Sequence, residues 1–240
     1  ISGSKNHASV PNGNSSPYYS KDKTGVIFNA TEKDLLMIEE SGAKTNYEIY
    51  YIAEYNGSNT GRVLSMEKDN WLLGFWNNSL GFHTSSTAFV DTFTIKAENK
   101  KYLINGYVDS SNNHVFYVDG KLKAEEIAST VIEPNLDLLL GGKFGTNEYS
   151  DVIIHEVIIF DKSYDPYVRS MINHYLSQKW DMTAFVDSDN DTILDRDDLW
   201  PIDFNAPPEI KSVSFNIKEN QKFVGFADVQ DDTIPFSKQL

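Results

Sequence analysis

Apolar residues recur along the chain in short runs, and clusters of Asn, Gly, Ser and Asp lie between the runs. The run from Tyr47 to Tyr55 alternates and is rich in residues that favour β-structure, as expected for a strand. Similar runs follow at regular short intervals, which is typical of an all-β sandwich or barrel. Two turns are clear: residues 109–113 (DSSNN), and Asp119-Gly120, which predicts a hairpin between HVFYV and KLKAEEI.

One convincing helix follows the last long apolar run. Asp165 can cap its N-terminus, with Pro166 at the first helical position. The apolar positions recur with helical spacing, and we expect this stripe to pack on the sandwich. The stripe consists of Val168, Met171, Ile172, Tyr175 and Leu176. Trp180 is expected to cover the end of the helix, and the first domain to close near Met182.

The acidic segment DSDNDTILDRDD has the spacing of a calcium-binding loop of the EF-hand type. Positions 1, 3, 5, 9 and 12 are Asp187, Asp189, Asp191, Asp195 and Asp198, and Ile193 stands at position 7, where a backbone carbonyl is used. Six carboxylates within twelve residues repel one another in any compact conformation. The sequence therefore predicts Ca²⁺ at this loop, against the alternative of a solvated acidic linker.

Two positions of the loop depart from the EF-hand pattern. Position 6 is Thr192, where glycine normally allows a sharp turn, and position 12 is an aspartate, which is shorter than the usual bidentate glutamate. We therefore expect a weakened or bent site, with an affinity in the extracellular range of about 10⁻⁴ to 10⁻³ M or somewhat tighter.

Composition narrows the classes of partner. The net charge of −14 disfavours nucleic acid and anionic membrane surfaces, because phosphate contacts need clustered Lys and Arg. Residues 181–240 hold 13 acidic against 5 basic residues, so the negative charge is concentrated where calcium is expected. Cysteine is absent, which excludes disulfides and thiolate sites.

No apolar stretch is long enough for a membrane-spanning helix, and no signal peptide is visible, so we expect a mature chain or a piece of a longer one.

The acidic loop also carries a resemblance to a known repeat. The stretch DSDNDTILDRDDLWPIDFN resembles a thrombospondin type 3 calcium repeat, a motif that often joins larger modules in bacterial surface proteins. The resemblance implies that the five aspartates are the ligands. Beyond it, NAPPEI is a stiff linker, and FNIKENQKFVGFADVQDDT resembles the start of a cadherin-like or immunoglobulin-like repeat.

The large N-terminal part resembles concanavalin A-like, laminin G-like jelly-roll domains of large bacterial surface proteins. The motifs that carry this resemblance are NHA, GVIFNATEKDLLMI, NWLLGFWNN, FYVDGKL, LLLGGKF and HEVIIFDKSYDPYVRSMINHYLSQKW. It implies an all-β fold of two antiparallel sheets with one C-terminal helix, often with calcium at a rim and sugars bound by loops. The predicted domains are residues 1–182 (jelly roll), 183–204 (calcium loop) and 205–240 (linker and start of the next repeat).

An enzymatic function is the first possibility to test for such a module. Laminarinase-type hydrolases share the jelly roll, but they need paired carboxylates, usually delivered as E-x-D-x-x-E, and this motif is absent. In DVIIHE, Asp151 and Glu156 are five apart and would face opposite sides of a regular strand. We therefore predict no enzyme activity. Two non-catalytic roles besides glycan binding stay open: a calcium-stiffened spacer without a glycan ligand, and an accessory domain of a secreted polysaccharide-degrading enzyme.

A carbohydrate-binding module needs exposed aromatic faces and planar amides. Trp76, Asn77 and Asn78 stand at a strand end that runs into a loop, whereas Trp71 is expected in the core. Tyr107 and Asn113 are weaker candidates near turns. We conclude from the sequence that this is a calcium-binding, lectin-like module of an extracellular bacterial adhesin. It is expected to bind a glycan at a cell surface, without membrane insertion, between the flanking domains of a longer chain.

Overall fold

The computed structural model describes residues 8–38, 46–68, 70–84, 95–127 and 137–203, together with the backbone of residues 209–210 and 229–230. Two antiparallel sheets of seven strands each form a sandwich, so the predicted fold class is confirmed. The first sheet runs in the order β1 (Ala8–Ser9), β4 (Leu36–Ile38), β13 (Leu138–Leu140), β6 (Leu64–Met66), β7 (Trp71–Trp76), β8 (Ser79–Thr84) and β9 (Ile95–Lys96).

The second sheet carries the surface on which the candidate site is built. Its order is β12 (Lys121–Ile127), β11 (Asn113–Val118), β10 (Tyr102–Val108), β5 (Tyr47–Thr60), β14 (Ser150–Phe160), β3 (Gly25–Phe28) and β2 (Tyr18–Ser20). The predicted hairpin is confirmed, because β11 pairs with β12 across Asp119-Gly120. Helix α1 (Pro166–Lys179) follows β14. Two short strands, β15 (Glu209–Ile210) and β16 (Val229–Gln230), pair with each other.

The main core lies between the two sheets and is rich in aromatic side chains. On β5, Tyr47, Ile49 and Tyr51 all belong to this core, as strand alternation requires. Trp71 is buried as predicted, and its Nε1 donates a hydrogen bond to the Tyr47 hydroxyl at 3.0 Å. Gly74 has a φ of +85°, and a Cβ atom there would overlap the Tyr51 hydroxyl. The tight approach of β7 to β5 therefore depends on glycine at this position.

The opposite face of the second sheet is covered by helix α1. Tyr50 and Ile52, which alternate with the core residues of β5, pack with Leu176 and with Met182 and Val186, which follow the helix. Asp165 caps the helix by accepting a hydrogen bond from the Val168 N–H at 3.0 Å, as predicted. At the other end, the Trp180 Nε1 donates to Glu156 at 2.6 Å.

The expected apolar stripe of the helix is wrong in part. Leu176 is buried, but Met171 is 47% exposed and Tyr175 is 53% exposed. The face turned to the protein is mostly polar, and its buried residues are Arg169, Ser170, Asn173, Leu176 and Ser177. The helix turns this polar face toward the protein, in place of the predicted apolar stripe, because these polar side chains have buried partners on β5 and in the acidic loop. Those contacts stabilise the helix orientation more than the packing of a wider apolar stripe would.

The main partner of the helix is the Glu48 carboxylate, which is fully buried. It accepts hydrogen bonds from the Tyr50 hydroxyl at 2.6 Å, from Arg169 Nε at 2.9 Å and from the Tyr164 N–H at 2.8 Å. Asn105 Nδ2 donates to it at 3.2 Å. A buried carboxylate needs this degree of compensation, so the Glu48–Arg169 pair fixes how the helix sits on the sheet.

The segment after the helix packs on the sandwich. Val186 is fully buried, and the Asp187 N–H donates to the carbonyl of Asp119 at 3.1 Å, so these contacts cross the boundary predicted near residue 182. The predicted cadherin-like segment, apart from the backbone pairing of β15 with β16, lies outside the described residues. Within the described part of the chain, no helix has the length and apolar character that crossing a bilayer requires.

Candidate metal centre and adjoining cavity

The acidic loop is held between the β11–β12 hairpin and helix α1. Gly120 has a φ of +78°, and a Cβ atom there would collide with the Asp187 carbonyl, so only glycine allows the hairpin turn to approach the loop. The Leu122 N–H donates to Asn190 Oδ1 at 3.0 Å, and Asn173 Nδ2 donates to the Ser188 carbonyl at 3.1 Å. The sandwich therefore fixes the backbone from which the first aspartates project.

Three of the predicted ligands come together. Asp187, Asp189 and Asp191 each place one carboxylate oxygen so that all three atoms lie within 4.8 Å of one another. Asp187 and Asp189 are each only 1% exposed. Their Oδ1 and Oδ2 atoms, respectively, are buried and have no hydrogen-bond partner among the described residues. Buried polar atoms are normally paired, so these oxygens have the capacity to bind a cation.

The electrostatics of the cluster agree with this geometry. Burial, together with the charges of Asp191, Asp198 and Asp187, raises the pKa of Asp189 to about 7, although a hydrogen bond from the Asp191 N–H acts in the opposite direction. Burial also raises the pKa of Asp187, and the positive charge of Lys121 partly offsets this increase. A divalent cation would offset both the burial and the mutual repulsion of these carboxylates.

The later positions of the loop differ in what their side chains contact. Asp198 has a buried Oδ2 without a partner among the described residues, while its Oδ1 accepts from the Trp200 N–H at 2.8 Å. Asp195 accepts from the N–H and the hydroxyl of Ser188, both at 2.8 Å, and from the Ser177 hydroxyl. Ile193 donates its N–H to Asp191 at 2.7 Å. Asp195 thus ties the loop to helix α1, and the roles of Asp195, Asp198 and the Ile193 carbonyl as ligands stay predictions.

Thr192 takes the conformation that glycine has at position 6 of an EF-hand loop. Its φ is +86°, and Asn190, two residues earlier, has a φ of +65°. A left-handed backbone is costly for a β-branched residue, of the order of 1–3 kcal/mol. The turn is held because the Thr192 N–H donates to Asp187 Oδ2 at 3.0 Å. The loop therefore makes the sharp turn without glycine.

A cavity of about 230 Å³ opens beside the cluster. Its wall combines the hairpin, the first two turns of helix α1 and the start of the acidic loop. The lining residues are Tyr117, Gly120, Pro166, Arg169, Ser170, Asn173, Ser188, Asp189 and Asn190. Of these residues, the sequence pattern indicates only Asp189 as part of a functional site. It indicates Pro166 as the start of the helix and Gly120 as a turn residue. No spacing in the sequence connects Tyr117, Arg169 and Asn190, which are brought together by the sheet and the helix.

The residues predicted to bind a glycan form two separate groups. Trp76 ends β7, with its Nε1 donating to Glu148 Oε1 at 2.9 Å, and Asn77 and Asn78 form the turn of the β7–β8 hairpin with φ values of +49° and +62°. This turn contacts the end of β5 through Asn77 N and the Thr60 carbonyl.

Tyr107 and Asn113 lie on the second sheet, near the start of β5. Tyr107 pairs with Glu48 in the sheet, and its ring stacks with Tyr117 at a centroid distance of 6.4 Å and lies 4.2 Å from the Arg169 guanidinium carbon. Asn113 Nδ2 donates to Glu125 at 2.5 Å. The structure therefore does not unite the five predicted residues into one site.

The two carboxylates considered for catalysis have structural partners. Asp151 accepts from the Ala30 N–H at 3.0 Å and from Asn59 Nδ2 at 2.8 Å. Glu156 accepts from Lys179 at 2.8 Å and from Trp180. The pairing of β14 with β5 shifts between Ile154 and Glu156, so β14 is not a regular strand across this stretch. These contacts account for both carboxylates.

Comparison with known proteins places the chain by its fold alone. The sequence matches no protein-family model and no curated protein. The binding domain of Paraclostridial mosquitocidal protein 1 is similar with a TM-score of 0.55 and 13% identity, over 72% of this chain and 48% of that one. Botulinum neurotoxin type C, whose cell entry depends on interaction with two ganglioside molecules, is similar with a TM-score of 0.52 and 13% identity, over 72% and 47%.

A third structure is covered over most of its length. Domain 4 of AbnA, an extracellular arabinanase from Geobacillus stearothermophilus, in complex with arabinotriose, has a TM-score of 0.51 and 13% identity, over 66% of this chain and 84% of that one. In contrast, the chain spans only about half of the length of the two toxin structures. At these identities the similarity is one of fold: this chain is a jelly-roll-like β-sandwich.

Proposed function

We propose that this chain is a calcium-binding, non-catalytic carbohydrate-binding module of an extracellular bacterial adhesin, joined to flanking domains of a longer protein. The observation that carries the proposal is the group of three aspartates whose carboxylate oxygens converge within 4.8 Å. Two of these residues, Asp187 and Asp189, are buried, and each has one oxygen without a hydrogen-bond partner among the described residues. Carboxylate oxygens are the ligands that Ca²⁺ prefers, and its tolerance of irregular geometry suits a loop that departs from the EF-hand pattern.

A bound calcium ion would neutralise the repulsion among the carboxylates and so hold the loop against the sandwich. Asp187, Asp189 and Asp191 would hold the ion, and Asp198 is the candidate to join them because its buried Oδ2 is unpaired among the described residues. The loop in turn contacts the hairpin through Asn190 and the helix through Asp195. Calcium thereby orders one wall of the neighbouring cavity.

Carbohydrate binding is supported by the similar structures. One of them is in complex with arabinotriose, and another depends for cell entry on interaction with two ganglioside molecules. Because one fold serves many functions, this support is an analogy, and the site must come from the chain's own residues. The absence of the E-x-D-x-x-E motif and the structural hydrogen bonds of Asp151 and Glu156 favour binding without catalysis.

A glycan array tests this function directly. The purified chain should bind at least one class of glycan at about 5 mM calcium and lose most of that binding in excess chelator, because the cation orders the loop that lines the cavity. Asp189→Asn should behave like the chelated protein, whereas the exposed Asp197→Asn should bind like the unmodified chain.

The outcomes of the array separate the candidate functions. No binding in either condition would contradict the carbohydrate-binding proposal and favour a calcium-stiffened spacer. That second function is supported by three hydrogen bonds that fix the loop: the Asp187 N–H donates to the hairpin, Asn190 accepts from the hairpin, and Asp195 accepts from helix α1. Equal glycan binding with calcium and with chelator would show that the glycan site does not depend on the metal site.

A further inference from the structure

The cavity beside the acidic loop has the size of a site for one sugar ring. Its volume of about 230 Å³ is below the roughly 300 Å³ at which pockets begin to bury drug-sized ligands. Three separate elements supply its walls, and Ser188, Asp189 and Asn190 belong to the candidate calcium loop. A ligand in this cavity would therefore contact both the rigid sandwich and the loop that the cation orders.

Part of the cavity wall is apolar and flat. Tyr117 projects from β11 on the face opposite Phe116, which belongs to the core between the sheets. Its ring is held in place by Tyr107 on one side, at 6.4 Å between centroids, and by the Arg169 guanidinium at 5.4 Å. Pro166 adds a second apolar surface. A sugar ring binds such a surface through the apolar face of its C–H groups.

The remaining wall supplies hydrogen-bonding groups of both kinds. Asn173 and Asp189 each have a buried oxygen without a partner among the described residues. Both residues line the cavity, so a ligand hydroxyl there lies beside residues with an unused acceptor. Asn190 accepts from the Leu122 N–H through its Oδ1, which leaves its amide NH₂ as a donor. A sugar hydroxyl both donates and accepts, and matches this combination.

The charge around the cavity selects against acidic ligands. Arg169 is paired with Glu48 at 2.9 Å and therefore offers no uncompensated positive charge to a carboxylate. Asp187, Asp189 and the other loop aspartates outweigh Lys121, which lies 3.9 Å from Asp187 Oδ2. Even a bound divalent cation would leave this wall without net positive charge, so an anionic sugar would meet net repulsion.

We propose that this cavity binds a single uncharged sugar unit, with its ring against Tyr117 and its hydroxyls on Asn173, Asp189 and Asn190. The inference rests on the proposed carbohydrate-binding function and assigns it a place, distinct from the Trp76 hairpin and from Tyr107. Because Asp189 and Asn190 belong to the acidic loop, calcium and sugar should each strengthen the binding of the other.

Two tyrosine variants test the assignment on an array of neutral and sialylated glycans at about 5 mM calcium. Tyr117→Ala removes the cavity wall and should weaken binding of neutral glycans about tenfold or more. Tyr175→Ala is the control, because it removes an exposed tyrosine from the same helix that supplies Arg169 and Asn173, and Tyr175 does not line the cavity. It should leave binding within about twofold. Asn190→Asp retains the acceptor for Leu122 but loses the donor, so it should also bind less.

The results distinguish an error in the location of the sugar site from an error in the proposed carbohydrate-binding function. If the unmodified chain binds neutral glycans and Tyr117→Ala and Asn190→Asp bind equally well, the cavity assignment is overturned while the function stands. A preference of the unmodified chain for sialylated glycans would overturn the assignment to an uncharged sugar. If the unmodified chain binds no glycan, both the function and the assignment fail. Calcium titration of each variant shows whether the metal site is intact.

Discussion

Replacing Arg169 with methionine should lower the free energy of unfolding by about 3–5 kcal/mol, the range found when one partner of a buried ion pair is removed. Arg169 is 5% exposed, and Glu48, which it pairs with at 2.9 Å, is fully buried. The substitution retains much of the side-chain volume but leaves the Glu48 charge without its cation. Urea unfolding of the variant measures the loss.

Two further variants control this result. Lys179→Met removes an ion pair from the same helix, with Glu156 at 2.8 Å, but Lys179 is 40% exposed, so the expected loss is below about 1 kcal/mol. Adding Glu48→Gln to Arg169→Met removes the buried charge and should recover about 1 kcal/mol or more. Equal losses for Arg169→Met and Lys179→Met would contradict the central role of the Glu48–Arg169 pair in seating the helix.

Withdrawal of calcium should have the second large effect, and it should depend on pH. A ligand that binds only the folded state adds RT ln(1 + [L]/Kd), so about 10 mM calcium should add about 1.4–2.7 kcal/mol at neutral pH for a Kd of about 10⁻³ to 10⁻⁴ M. Without calcium, the pKa of Asp189 is raised to about 7 by burial and by its acidic neighbours.

The sign of the pH dependence follows from this shift. A carboxyl whose pKa is higher in the folded state stabilises the fold at low pH, and this contribution is lost as pH rises from the unfolded value of 3.8 through about 7. In chelator, the stability should therefore fall over this interval. Calcium requires the deprotonated carboxylates, so its stabilising effect should grow over the same interval.

Urea unfolding at about pH 5 and about pH 8, with calcium and with chelator, checks this prediction. The difference between the two conditions should be larger at the higher pH. Asp189→Asn should be more stable than the unmodified chain in chelator at the higher pH and should respond little to calcium. An equal calcium effect at both pH values would show that the buried aspartates do not bind the ion.

The sequence predicts the β-sandwich well because strand alternation and turn residues are local. The Asp119-Gly120 turn forms the expected hairpin, and Asp165 caps the expected helix. The predicted buried face of that helix was wrong in part, because the orientation of the helix depends on Glu48. This residue is more than a hundred positions away in the sequence, and in its strand it looks like a surface residue. Apolar spacing therefore located the helix without identifying its buried face.

The candidate site divides in the same way. The spacing of Asp187, Asp189 and Asp191 is local, and the structure brings their oxygens together. The contacts of Asp195 with Ser177 and Ser188 depend on how the loop meets the helix, which the spacing does not encode. The cavity depends still more on topology, because residues of β11, helix α1 and the loop meet only in the folded sandwich.

Calorimetric titration of calcium into the metal-free protein is the most direct test of the metal centre on which the proposed function depends. The unmodified chain should bind a calcium ion at the loop with a Kd near 10⁻⁴ to 10⁻³ M or somewhat tighter, at about pH 7.5. Asp189→Asn should lose this binding, and Asp197→Asn, at an exposed position of the same loop, should retain it. No heat of binding to the unmodified chain, or equal binding by the Asp189→Asn variant, would contradict the assignment of the loop as a calcium site.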